Sequence, residues 1–144
     1  MKITIRNAKL TELETIKDMS NILDSEKENS EERLQEQIKN KQIFVAQADD
    51  NIVGYISLEF LNSNHQELPE SIFISELFIL PKYRKQNIGS QLVKFVLKQK
   101  FSKKYKYFSV THDPQEKHLT DFYKKFGFEP AGKTKALNIK LFKK

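Results

Sequence analysis

Apolar and polar residues alternate over Ile3-Thr4-Ile5-Arg6, which predicts a short strand. Leu13, Ile16, Met19 and Leu23 then recur at helical spacing, with Thr11 as the expected cap and Glu14 completing a capping box. The polar stretch Asp24 to Asn29 breaks that helix. A second helix is expected from Ser30-Glu31-Glu32, with only Leu34 and Ile38 on its apolar face. Ile43 to Ala48 and Ile52 to Phe60 read as a hairpin turning at Asp49-Asp50-Asn51. After a polar loop from Asn62 to Ser71, the run Ile72 to Leu80 is almost wholly apolar, as in a central strand buried on both faces. Ile88, Leu92, Phe95 and Val96 mark a third helix, ending near Lys100, and Tyr105 to Val110 the next strand. Leu119, Phe122, Tyr123 and Phe126 mark a fourth helix, with Gly127 as its stop. Two last strands are expected near Ala131 to Thr134 and Ala136 to Phe142.

This order implies a mixed sheet with helices on both faces, and parallel strands on either side of the third helix. There is no internal repeat and no flexible linker, so residues 1–144 read as one domain. The chain has no Cys, which excludes disulfides, thiolate metal sites and a Cys nucleophile. His65, His112 and His118 show no metal-ligand spacing, so no metal is expected. No apolar run is long enough for a membrane span, and the first residues carry no apolar signal core; a cytoplasmic protein is expected.

Net charge is +6, concentrated in Lys82 to Lys106 and at the C-terminus, whereas Asp24 to Glu36 is acidic. That asymmetry suits an anionic ligand at one end; it is equally the pattern of a solvated Lys-rich surface. The anionic reading gains from one segment. An apolar strand meets Pro81, passes through the basic loop Lys82-Tyr83-Arg84-Lys85-Gln86-Asn87, and enters the third helix at Ile88-Gly89-Ser90. Such a strand–loop–helix junction aims backbone N–H groups and a positive helix end at one point, which suits a phosphate or pyrophosphate. Taken without further context, it is also a plain turn with Asn87 capping the helix. Glu76 interrupts the apolar run Ile72 to Leu80; such a carboxylate is expensive unless paired or functional.

Two motifs resemble the GNAT superfamily of acyl-CoA-dependent N-acetyltransferases. The central motif, Arg/Gln-x-x-Gly-x-Gly/Ala, appears as Arg84-Lys85-Gln86-Asn87-Ile88-Gly89 after the lead-in Pro81-Lys82-Tyr83. The later motif, an aromatic pair followed by Gly-Phe, appears as Phe122-Tyr123-Lys124-Lys125-Phe126-Gly127-Phe128. The family's first motif glycine is Asn87 here, the non-Gly residue that best tolerates positive φ. The family's Asn seven residues before the helix tyrosine is Glu116 here, and no pantetheine contact is assigned to it.

The resemblance implies an α/β (α+β) fold: a single GNAT-like domain with a central mixed, mostly antiparallel twisted sheet of about six to seven strands, flanked by about four helices. It implies acetyl-CoA as acyl donor. Arg84, Lys85, Gln86, Asn87, Ile88, Gly89 and Ser90 would hold its pyrophosphate, and the main chain of Leu77, Phe78 and Ile79 its pantetheine arm, as an added strand would. A strand N–H would also steady charge developing on the thioester oxygen. Tyr123 is the expected general acid for the departing thiolate; from the pattern alone it is equally a core residue. Glu76 is the expected general base, with a salt bridge or simple exposure as its alternatives, and His112 is a weaker base candidate. The implied reaction is direct attack of a primary amine of a small molecule or peptide on acetyl-CoA in a ternary complex. The acidic residues Glu26, Glu28, Glu31, Glu32, Glu67 and Glu70 flank a cationic acceptor or are plain surface. The alternative is a non-catalytic CoA-sensing or nucleic-acid-binding module on the same fold. Expected partners are acetyl-CoA and an amine acceptor, without membrane or nucleic acid, in a monomer or homodimer.

Overall fold

A computed structural model of the chain describes residues 1–23, 31–62, 70–99, 101, 105–113, 115–131 and 136–141. The elements run β1 (Ile3–Asn7), α1 (Leu13–Leu23), α2 (Glu31–Lys39), β2 (Ile43–Ala48), β3 (Asn51–Leu61), β4 (Ser71–Ile79), α3 (Ile88–Lys98), β5 (Tyr107–His112), α4 (Lys117–Lys124), β6 (Glu129–Pro130) and β7 (Ala136–Leu141). Seven strands hydrogen-bond in the order β1-β2-β3-β4-β5-β7-β6. The β1–β2, β2–β3, β5–β7 and β6–β7 ladders are antiparallel and β4–β5 is parallel, so the sheet is mixed as the element order implies. The chain divides into two compact units: Met1–Ser57 with Glu76–Gln99, and Leu58–Ser75 with Lys100–Lys144.

In the first unit, β2 alternates its side chains between two packed layers. Ile43 and Val45 join Tyr55, Phe78, Ile16 and Met19 of α1, and Leu34 and Ile38 of α2, in one core cluster. Phe44 faces the other way and meets Phe95 of α3, ring centroids 5.6 Å apart. The α3 stripe is buried at Ile88, Leu92, Val93 and Val96. Gly54 in β3 is required by close approach: a Cβ there would lie 2.5 Å from Ile79 Cδ1 and 2.6 Å from the Phe78 carbonyl oxygen.

The helix start expected at Thr11 lies elsewhere. A 3₁₀ turn over Leu10–Glu12 precedes α1, and Glu12, not Glu14, accepts the Lys9 backbone N–H at 2.8 Å. The reason is long-range: Arg6 of β1 holds both Glu12 carboxylate oxygens, at 2.9 and 2.6 Å, and also donates to Gln47 of β2.

In the second unit, β4 and β5 pair from Ser71↔Tyr107 to Ile74↔Val110, with the Ser71 and Ser109 hydroxyls sharing a hydrogen bond of 2.7 Å. β5 continues on its other side against β7 as far as His112↔Ala136. Thus β5 begins and ends two residues later than the apolar run suggests. A strand at Glu129–Pro130 is in register with Ile139 and Asn138 of β7; of the strand expected over Ala131 to Thr134, Ala131 is outside any strand and residues 132–134 lie outside the described set.

Candidate active site

The junction between β4 and α3 has the geometry of an anion cradle. Pro81–Tyr83 forms a 3₁₀ turn, Arg84 is extended, and then Lys85 and Asn87 both adopt left-handed backbone, φ 63° and 65°. Left-handed residues on either side of Gln86 are backbone of the kind from which anion-binding loops are built. The first α3 bond runs from the Gln91 N–H to the Asn87 carbonyl at 3.0 Å. The N–H groups of Ile88, Gly89 and Ser90 precede that bond and have no intrahelical acceptor. The Asn87 side chain makes no capping hydrogen bond, so the plain-cap reading of this residue does not hold. Lys85, Gln86 and Asn87 are exposed, Gly89 and Ser90 half-buried, and the Ile88 side chain is core.

Arg84 does more than add charge. Its Nε donates to the Ile79 carbonyl at 2.8 Å, and its guanidinium lies 5.4 Å from the Phe78 ring centroid. The residue therefore ties the loop to the end of β4. Phe78 itself is buried against Tyr55, ring centroids 6.3 Å apart, whereas Leu77 and Ile79 are half-buried. Their segment, Ser75 to Ile79, extends past the last β4–β5 pair.

Glu76 shares a buried polar cluster of the first unit. It is 6% exposed and lies on the Phe78 side of β4. Its Oε2 accepts the hydroxyl of fully buried Ser20, on α1, at 3.1 Å. Tyr55 stands close by. Burial pushes its phenol far above the ordinary value, the Glu76 charge adds to the rise, and Arg33 of α2 opposes it. Simple exposure of Glu76 is excluded.

Tyr123 belongs to the second unit, so the loop, the β4 segment and Glu76 occupy one unit and Tyr123 the other. It is the buried residue of α4, at 4% exposure, and desolvation alone raises its phenol above the ordinary value near 10. The helix end explains its setting. The Phe128 N–H reaches the Tyr123 carbonyl at 3.3 Å and the Gly127 N–H the Lys124 carbonyl at 3.0 Å, with Gly127 at φ 90°. This is a Schellman closure, and its hydrophobic contact is the Phe128 ring on Tyr123, 5.5 Å between centroids. The Gly-Phe pair thus fixes the last turn and seats the tyrosine ring. Phe122 meets Tyr123 edge-on at 5.1 Å.

His112, the weaker base candidate, has both ring nitrogens engaged: Nδ1 with the Asp113 carbonyl at 2.9 Å, and Nε2 with Thr120 Oγ1 at 3.1 Å and Asn138 Nδ2 at 3.0 Å. Glu116 is exposed at the N-cap of α4. Glu26, Glu28 and Glu67 lie outside the described residues, Glu31 and Glu32 are exposed, and Glu70 is half-buried. Gly54 and Ser20 are two residues of this region that the sequence motifs do not mark. A glycine inside a strand pattern is a usable signal of close backbone approach; a helical serine carries none. Among the described residues no group of His, Asp and Glu has the arrangement of a metal site, and no helix is long and apolar enough to cross a membrane.

Residues 14–139 match the family model described as acetyltransferase (GNAT) domain. The chain belongs to the GNAT acetyltransferase family. Solved structures of similar fold include the PaiA N-acetyltransferase of Thermoplasma acidophilum in complex with coenzyme A, at 20% identity and TM-score 0.76, covering 99% of this chain and 100% of that one. An N-acetyltransferase from Staphylococcus aureus Mu50 gives 19% identity and TM-score 0.78 over 99% and 100% of the two chains. Diaminobutyrate acetyltransferase EctA from Paenibacillus lautus, solved with L-2,4-diaminobutyric acid and coenzyme A, gives 16% and 0.74 over 98% and 95%. These likenesses establish the GNAT fold with four helices and a mixed sheet. A comparison with curated proteins returns no match.

Proposed function

We propose that this GNAT domain, residues 1–144, transfers an acetyl group from acetyl-CoA to a primary amine by direct attack in a ternary complex. The observation that carries the reading is the junction Arg84 to Ser90: left-handed Lys85 and Asn87 lead into α3, whose opening amides have no helical acceptor. That arrangement fits a diphosphate, with Gly89 leaving room for it and Lys85 adding positive charge. The main chain of Leu77, Phe78 and Ile79, past the β5 ladder, is suited to hold the pantetheine amides in the manner of an added strand. Acetyl-CoA supplies the activated acetyl group as a thioester.

Two side chains handle protons. Glu76 accepts the proton that the attacking ammonium must lose, directly or through water. Tyr123 donates its phenolic proton to the departing sulfur. Its desolvation keeps the phenol protonated throughout neutral pH, the form an acid needs.

The test is free-thiol release from acetyl-CoA with pooled primary amines. Amine-dependent release by the wild-type chain supports the proposal. Binding of CoA without release under any amine points instead to a CoA-sensing module.

A further inference from the structure

The hydrogen bonds around His112 form a clamp that the proton-transfer scheme does not use. A carbonyl oxygen only accepts, so the Asp113 carbonyl fixes the proton on His112 Nδ1. With the proton on Nδ1 and the Asn138 amide nitrogen facing Nε2, the lone pair of the ring lies at Nε2. The Asn138 amide nitrogen on β7 and the Thr120 hydroxyl on α4 both lie within hydrogen-bond distance of it, at 3.0 and 3.1 Å, and share that single lone pair. Asn138 is 2% exposed, and His112 and Thr120 are half-buried. Three elements, the end of β5, β7 and α4, therefore meet at one ring nitrogen.

α4 spans Lys117–Lys124, and its buried residue is Tyr123 itself. Thr120 stands three positions before Tyr123, hence on the same helix face one turn earlier. The Schellman closure with Phe128 holds the turn after the tyrosine, and the Thr120 hydroxyl holds the turn before it.

We propose that His112 is a positioning residue: through Thr120 it fixes the rotation and height of α4, and so the placement of the Tyr123 hydroxyl. This inference rests on the acid role proposed for Tyr123 only for its effect on turnover; the placement itself is a property of the fold.

Thr120→Val is nearly isosteric and removes the donor to Nε2. The expected result is a kcat lowered roughly 10-fold with KM for acetyl-CoA within about two-fold. Thr120→Ser is expected to restore kcat to within about two-fold. In a Tyr123→Phe background, Thr120→Val is expected to cause no further loss. A second readout needs no turnover: in protein carrying ring-labelled tyrosine, the Tyr123 resonance, identified by its loss in Tyr123→Phe, is expected to shift or broaden in Thr120→Val and return in Thr120→Ser. An unmoved Tyr123 resonance overturns the proposal. So does a Thr120→Val that lowers kcat and raises KM together, or one that Ser fails to rescue. If the resonance moves while Tyr123→Phe keeps full turnover, the clamp stands and the acid role of Tyr123 falls.

Discussion

At the residue scale one phenol, Tyr123, and one ion pair, Arg6 with Glu12, carry the testable chemistry. Tyr123→Phe removes a proton donor and keeps the ring that packs on Phe128, so kcat is expected to fall on the order of 100-fold while CoA affinity stays within about two-fold. Steady-state kinetics alongside equilibrium binding check this, and unchanged turnover removes Tyr123 from the chemistry. Because the Tyr123 pKa is raised, its acid form persists to higher pH, and kcat is expected to show no alkaline decline from this group below about pH 10. Glu12 is a structural counterpart. The bidentate hydrogen bonds from Arg6 hold its carboxyl below the usual carboxylate range. A depressed folded pKa adds stability above the unfolded value near 4.3, and that stability is lost as pH falls below it. Glu12→Gln is expected to cost about 0.5–1 kcal/mol at pH 7 and nearly nothing near pH 3. Urea titrations at both pH values decide it; an equal cost at both would assign the loss to the Lys9 cap rather than the ion pair.

At the element scale the site depends on how one strand ends and one helix begins. Lys85 pays the left-handed penalty of roughly 1 kcal/mol or more that a glycine avoids, although glycine gives back part of it in chain entropy. Lys85→Gly is therefore expected to raise stability by about 0.5–1 kcal/mol, measured by denaturant unfolding; a loss of stability would show that the Lys85 side chain has a packing role. Gly54→Ala should do the reverse, driving a Cβ into Ile79 and the Phe78 carbonyl and displacing the strand proposed to hold the pantetheine. The helical stripes of α3 and α4 and the parallel β4–β5 pair were legible because each is encoded by local periodicity and one crossover. The loop was legible as a motif, and Asn87 as a tolerable left-handed residue. What local patterns do not carry is tertiary choice. Nothing near Thr11 indicates that Arg6 will recruit Glu12 in place of Glu14. Nothing around Glu76 indicates that Ser20, on another element, will hold its carboxylate. The left-handed Lys85 breaks a residue preference that the junction overrides, as Lys41 and Asp49 do at their own turns.

At the scale of the whole molecule, each of the two compact units carries a phenol raised by burial, Tyr55 in one and Tyr123 in the other. Both stay protonated in the folded chain when the unfolded chain ionises near pH 10, so stability should be intact below that pH and fall above it. Direct transfer, in a chain without Cys, also predicts that no acetylated protein accumulates when acetyl-CoA is added without amine, which intact-mass measurement would show. Despite the net charge of +6, DNA titration is expected to show no steep salt slope; a steep slope would favour the nucleic-acid-binding rival. The central claim is that the amides opening α3 grip the diphosphate of coenzyme A. Calorimetric titration of CoA into the wild-type chain and into Gly89→Val tests it most directly. The account predicts saturable heat for the wild type, and at least about 10-fold weaker binding for Gly89→Val with the melting temperature retained. No binding by the wild type, or equal affinity in the two proteins, would contradict it.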